Sequence, residues 1–117
     1  MTVHEYSIVQ ALMQQVEAEA VAHHALRVGR VYLRIGELSG VEPDLLKLAF
    51  EAFREQSICE GAQLEVRLVP VSWVCRSCAR PLPEDRVLRC QVCGQPGKLN
   101  QGDEIILERL EMEVSDV

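Results

Sequence analysis

The stretch "CRSCARPLPEDRVLRCQVCG", residues 75–94, decides how the chain is organised. Cys75 and Cys78 are separated by two residues, Cys90 and Cys93 repeat that spacing, and eleven residues lie between the pairs. A turn with two intervening residues aims two thiolates at one ion, and two such turns close a tetrahedron with Zn–S bonds of about 2.3 Å. Proline and charged residues fill the intervening segment, so little apolar surface is left to hold it folded without metal. Metal-binding free energy then becomes folding free energy for this lobe. Four thiolates also complete the coordination sphere and leave no position for a substrate or an activated water, so the expected ion is structural Zn(II). Rubredoxin-like iron is the chemical alternative, and its visible colour would reveal it. The fifth cysteine, Cys59, stands apart before a glycine and reads as a small buried apolar residue, because an odd number suits metal ligation better than a disulfide framework.

Outward from this stretch the chain alternates helices and strands. Ile8, Leu12, Val16 and Ala20 recur every four positions, with Val9 and Met13 beside them, as on an amphipathic helix. Ser7 and Gln10 fit a capping box, and a start one turn earlier is the alternative. In "GRVYLRIGELSG", 29–40, Val31, Leu33 and Ile35 fall on one face and Tyr32 and Arg34 on the other, a strand with one covered side. Gly36, Gly40 and Pro43 break it, and Pro43 suits the first turn of a second helix whose buried side is Leu45, Leu46, Ala49, Phe50 and Phe53. "QLEVRLVP", 63–70, alternates through Leu64, Val66 and Leu68 until Pro70 stops it. "EIILERLEMEV", 104–114, shifts its apolar set from Ile105 and Leu107 to Leu110, Met112 and Val114, which a bulge near Glu108 would reconcile. The order predicts an α+β fold, two helices packed on a three-stranded mixed sheet, with an inserted four-cysteine zinc-ribbon-like lobe. The expected domains are 1–70 with 102–117, and 71–101.

A net charge of −6 disfavours nucleic-acid binding, which leans on a basic surface. No apolar run reaches membrane-spanning length and the start lacks signal-peptide features, so a cytoplasmic protein without membrane contact is expected. Segment 74–98 is locally basic, with Arg76, Arg80, Arg86, Arg89 and Lys98 against Glu84 and Asp85. A zinc ion in four thiolates carries formal charge −2, so these cations neutralise their own site or meet an acidic partner. A zinc-ribbon adaptor that binds nucleic acid or a transcription complex is the alternative function. Nothing points to an enzyme: there is no Walker-type loop and no recognisable nucleophile–histidine pattern.

The histidines are His4, His23 and His24, and the adjacent pair suits the end of the first helix. "HEYSIVQALMQQVE" (4–17), "VGRVYLRIGELSGVEPDLLKLAFEAF" (28–53) and the paired cysteines followed by an acidic strand together resemble the HypA/HybF family of nickel metallochaperones for [NiFe]-hydrogenase maturation, over nearly the full chain. The resemblance implies a nickel domain with two helices on a three-stranded sheet, a zinc lobe, and delivery of Ni(II) to the [NiFe]-hydrogenase large subunit with a HypB-type GTPase. It also implies His4 as the nickel ligand, with Glu5 beside it as a tuner. The chain departs from the family's pattern by placing Thr2 and Val3 between Met1 and His4. Removal of Met1 would leave Thr2-Val3-His4 first. A free amine, two deprotonated amides and the imidazole would then make a square-planar four-nitrogen site suited to Ni(II) or Cu(II). The sequence is compatible with a monomer and with a homodimer.

Overall fold

A computed structural model describes the backbone of residues 3–115 and the side chains of residues 5–115. Helix α1 (Val3–Ala22) takes the earlier of the two expected starts, and its covered stripe runs through Val9, Leu12, Met13, Val16 and Ala20. Ile8 lies half-buried at the margin of that stripe. The helix ends where His24 adopts the left-handed conformation (φ 55°), one step after the His23 N–H donates to Glu19 O at 3.1 Å. Histidine is among the non-glycine residues that tolerate this region, so the pair ends the helix through backbone geometry.

Strand β1 (Ala25–Gly36) buries Val31, Leu33 and Ile35 as the alternation requires, and Val28 before them. Pro43 opens helix α2 (Pro43–Phe53), which buries Leu46, Ala49 and Phe50. Phe53 stays at the rim, edge-on to Tyr6 with ring centroids 5.5 Å apart. In strand β2 (Gln63–Val69) the inward set slips by one residue: Leu64 and Val69 are buried, and Leu68, expected on the covered face, is 60% exposed. A three-residue interval between half-buried Val66 and buried Val69 breaks the two-residue period and turns Leu68 outward.

These strands form one sheet with the last strand, labelled β6 (Ile105–Val114), in the order β2-β1-β6. Arg30 meets Glu65 and the Glu37 N–H meets Val69 O, so β1 and β2 run parallel, as a helical crossover demands. Arg27 meets Glu113 and the Gly36 N–H meets Glu104 O, so β6 runs antiparallel to β1. The two helices pack on each other and on one face of this mixed sheet. The other face carries charge: Arg67 binds both carboxylate oxygens of Glu108 at 3.0 and 3.1 Å, and Arg109 stacks over the Tyr32 ring at 4.0 Å. Neighbouring Glu108 and Arg109 thus both look outward, as two residues of a bulge do, and the apolar set changes register across them.

The chain divides into two compact units, one formed by the chain up to Arg34, Val41–Arg67 and the chain from Ile106, the other by Ile35–Gly40 and Leu68–Ile105. The second unit holds its own antiparallel sheet of β3 (Ser72–Cys75), β4 (Pro81–Leu82) and β5 (Gly97–Gln101), in the order β4-β3-β5. Trp73 stands opposite both Leu82 and Leu99 in it. Inside this unit Gly36 and Gly102 press backbone on backbone: the Leu38 N–H donates to Gly102 O at 2.6 Å, and a Cβ on Gly36 would collide with the Gly102 carbonyl and lie 2.6 Å from Asp103 N. Gly102 also needs its φ of 110°, which only glycine adopts without strain. Among the described residues no helix is long and apolar enough to cross a membrane.

Two substitutions test this packing by urea unfolding. Gly36→Ala, which inserts a methyl group against backbone, is expected to lower stability by about 1–3 kcal/mol. Phe50→Ala, which empties a site 1% exposed, is expected to cost about 3–5 kcal/mol.

Candidate functional site

Two knuckles of the same design bring the four cysteines together. In the first, the Cys75 N–H donates to Arg80 O (2.8 Å) and the Ala79 N–H donates to Cys75 O (3.1 Å). In the second, the Cys90 N–H donates to Gln95 O (2.8 Å) and the Gly94 N–H donates to Cys90 O (2.9 Å). The fourth residue after each leading cysteine is left-handed, at φ 62° for Ala79 and 76° for Gly94. Glycine suits that position and alanine is strained there. The leading cysteines, Cys75 and Cys90, are buried, and their partners Cys78 and Cys93 are exposed.

The sulfur atoms all lie within 4.8 Å of one another. Cys78 Sγ is 3.8 Å from both Cys90 Sγ and Cys93 Sγ, and Cys75 Sγ is 3.1 Å from Cys93 Sγ. A tetrahedron with 2.3 Å bonds has edges of about 3.8 Å, so the set fits one ion of zinc's size. The Cys78 and Ser77 N–H groups point at Cys75 Sγ, with N···S distances of 3.5 and 3.4 Å. The Cys78 N–H, then the Cys93 thiol, lead in holding the Cys75 thiol down to about 6. The N–H groups of Cys93 and Val92 lower Cys90 in the same way. Cys93 is pushed up to about 11, chiefly because its proton is shared with the Cys75 sulfur. Cys59 joins none of this: it is fully buried elsewhere, and desolvation raises its thiol to about 11.

At the other predicted site, Val3 and His4 lie in the first turn of α1, while their side chains, Met1 and Thr2 fall outside the described residues. Glu5 is described and is unusual. It is 3% exposed, its Oε1 accepts the Glu42 N–H at 3.3 Å, and its Oε2 has no partner. Glu42 is the N-cap of α2 and supplies no side-chain cap of its own, and the Glu5 carboxylate accepts the N-cap's own N–H, as the glutamate of a capping box does, where the helix dipole favours an anion. The sequence carried no local signal of this, because 37 residues separate donor and acceptor. His23 and His24 are exposed and belong to no cluster of metal-ligating side chains among the described residues.

An α+β unit of two helices on a mixed sheet, together with a four-thiolate knuckle site, defines a small metal-binding protein of two units. Comparison with known proteins makes this specific. A family profile described as "Hydrogenase/urease nickel incorporation, metallochaperone, hypA" matches residues 3–112. The hydrogenase maturation factor HypA of Shewanella baltica (strain OS185) is 40% identical over 112 residues, 94% of this chain and 96% of that protein. That of Wolinella succinogenes is 43% identical over 116 residues, 97% of this chain and 98% of that protein. The solution structure of the nickel metallochaperone HypA from Helicobacter pylori matches with a TM-score of 0.74 and 34% identity, covering 95% of this chain and 98% of that one. The chain belongs to the HypA family of nickel-incorporation metallochaperones, the maturation factors of hydrogenase.

Three outcomes follow from the site geometry. Ala79→Gly should stabilise the metal-loaded protein by about 0.5–1 kcal/mol in thermal unfolding, by relieving the left-handed alanine. Glu5→Ala should destabilise by about 1 kcal/mol in urea, with Glu5→Gln retaining most of that through its carbonyl oxygen. Cys75, with its depressed pKa, is a ready thiolate at neutral pH and, as pH falls through about 6, becomes one more ligand that must give up a proton to the metal. Cys93, raised to about 11, must surrender a proton to the metal at neutral pH. Zn(II) uptake at pH 7 should therefore release protons, and chelator competition should show affinity falling on acidification and falling faster below about pH 6.

Proposed function

We propose that this chain is a nickel carrier that takes Ni(II) at its N-terminal end and helps insert it into the [NiFe]-hydrogenase large subunit, while Zn(II) at Cys75, Cys78, Cys90 and Cys93 is structural. The observation that carries this reading is the family match over residues 3–112, which includes His4 and Glu5. The nickel part would comprise 1–70 and 102–117, and the zinc part 71–101.

Nickel is cargo here, so its site must be open. The first amides of a helix have no intrahelical acceptor and are available as donors. Planar coordination through the amides of Val3 and His4, with the His4 imidazole and the amine of Thr2 after removal of Met1, requires the first turn of α1 to unwind. Glu5 marks where unwinding stops, because its carboxylate is anchored to the Glu42 N–H. A terminal planar site with few enclosing groups releases its ion readily to an acceptor. The thiolate quartet is coordinatively closed and keeps its ion. Any nucleotide hydrolysis belongs to a HypB-type GTPase partner in the cytoplasm, and the carrier performs no catalysis of its own. The net charge of −6 supports this reading over a nucleic-acid adaptor.

The test is a Ni(II) titration of zinc-loaded protein whose N-terminus is defined by intact mass, native chain against His4→Ala. One tight nickel per native chain, weakened at least about tenfold in the variant, is expected. Equal binding by both proteins, or none by either, would overturn the N-terminal site.

A further inference from the structure

The second knuckle carries surface features that holding an ion does not require. Leu88 is 87% exposed and Val92 64% exposed, on either side of Cys90, and Leu88 is the most exposed large apolar side chain among the described residues. At Leu88 lies a shallow groove of about 620 Å³, lined also by Asp85, Arg86, Arg89, Cys90 and Gln91. The cations there are free. Among the described residues Arg27, Arg30, Arg67 and Arg109 each pair with a glutamate, whereas Arg76, Arg80, Arg86, Arg89 and Lys98, like Arg34, Lys47 and Arg54 elsewhere, meet no carboxylate within ion-pair distance.

Neutralisation of the metal site does not use all of this charge. Segment 74–98 holds five cations and two carboxylates, an excess of +3, and a zinc–tetrathiolate at −2 still leaves +1 in a chain of net charge −6. We propose that this groove docks an acidic peptide segment of a partner protein, with a large apolar side chain of that segment on Leu88 and its carboxylates on Arg86 and Arg89. Guanidinium groups match carboxylates in two-pronged geometry, and free arginines beside an exposed apolar side chain are the usual makings of an interface hot spot. A nucleic acid fits the same surface poorly. The groove includes Asp85, which would face phosphates, and the aromatic residue of segment 74–98 and its flanks is Trp73, half-buried with its ring nitrogen enclosed, which leaves no exposed ring for base stacking.

The experiment uses the full zinc-loaded chain and a fluorescein-labelled peptide, Glu-Asp-Leu-Phe-Glu-Asp-Glu, followed by anisotropy at low and high salt. Saturable binding is expected. It should weaken about tenfold for Leu88→Ser, for the double substitution Arg86→Glu with Arg89→Glu, and for a peptide carrying Ser-Ser in place of Leu-Phe. High salt should weaken it as well. One zinc per chain in each variant shows that the lobe is folded, and a side chain as exposed as Leu88 is not needed for that. Failure of the native protein to bind the peptide overturns the proposal, as does undiminished binding by Leu88→Ser. A single-stranded oligothymidine that binds more tightly than the peptide, and through the same arginines, also overturns it by making the groove a nucleic-acid surface.

Discussion

Four sulfur atoms held within 4.8 Å of one another cannot all be anions unless a cation lies between them. The second unit depends on that constraint. Its small sheet buries little beyond Cys75, with Trp73, Val74, Leu82 and Leu99 only half-covered, so burial alone does not hold it. The knuckles answer by placing backbone N–H groups on Cys75 and Cys90, which favours their thiolates before any metal arrives, and by leaving Cys93 to keep its proton until the ion displaces it. The close backbone approach of Gly36 and Gly102 in the same unit holds Gly36–Leu38 against the Gly102 turn by hydrogen bonds instead of side chains.

The first unit rests on a different balance. Val9, Leu12, Val16, Val31, Leu33, Leu46 and Phe50 make an apolar core in which each fully covered side chain contributes about 1.5–3 kcal/mol, opposed by chain entropy. One carboxylate breaks the apolar rule. Glu5 is buried with one oxygen satisfied and the other not, a cost that a core serving stability alone would avoid. Its position one residue after His4, and on the N-terminus of α2, ties the first turn of α1 to the second helix.

Much of this architecture could be read from residue order. Period-four and period-two apolar patterns gave both helices and the three long strands, because those elements bury one face and their sequences record it. The cysteine spacing gave the thiolate site for an equally local reason. What escaped was set by tertiary structure. Leu68 alternates correctly in the sequence yet points outward, because the strand's inward register slips between Val66 and Val69. The short strands β4 and β5 have no periodicity of their own and exist through pairing with β3. His23 and His24 suit the end of the first helix, and the left-handed backbone of His24, which no local pattern marks, is what ends α1. Glu5 was marked only by its family resemblance, and its capping of α2 depends on a contact across 37 residues.

Ion pairing differs between the units, although Arg34, Lys47 and Arg54 of the first also meet no carboxylate within ion-pair distance. On the outer face of the long sheet, Arg27, Arg30, Arg67 and Arg109 are each set against a glutamate, and Tyr32 joins them by donating to Glu111 at 2.6 Å. Such exposed pairs add little stability, typically below about 1 kcal/mol each, but they cancel positive charge where it would otherwise attract acidic surfaces. The cysteine lobe leaves its arginines unpaired although the chain has 18 acidic residues against 12 basic ones. In a chain with acid to spare, unpaired cations around an exposed leucine leave attraction for a partner, and the hydrogen bonds of the second knuckle hold the backbone beside it.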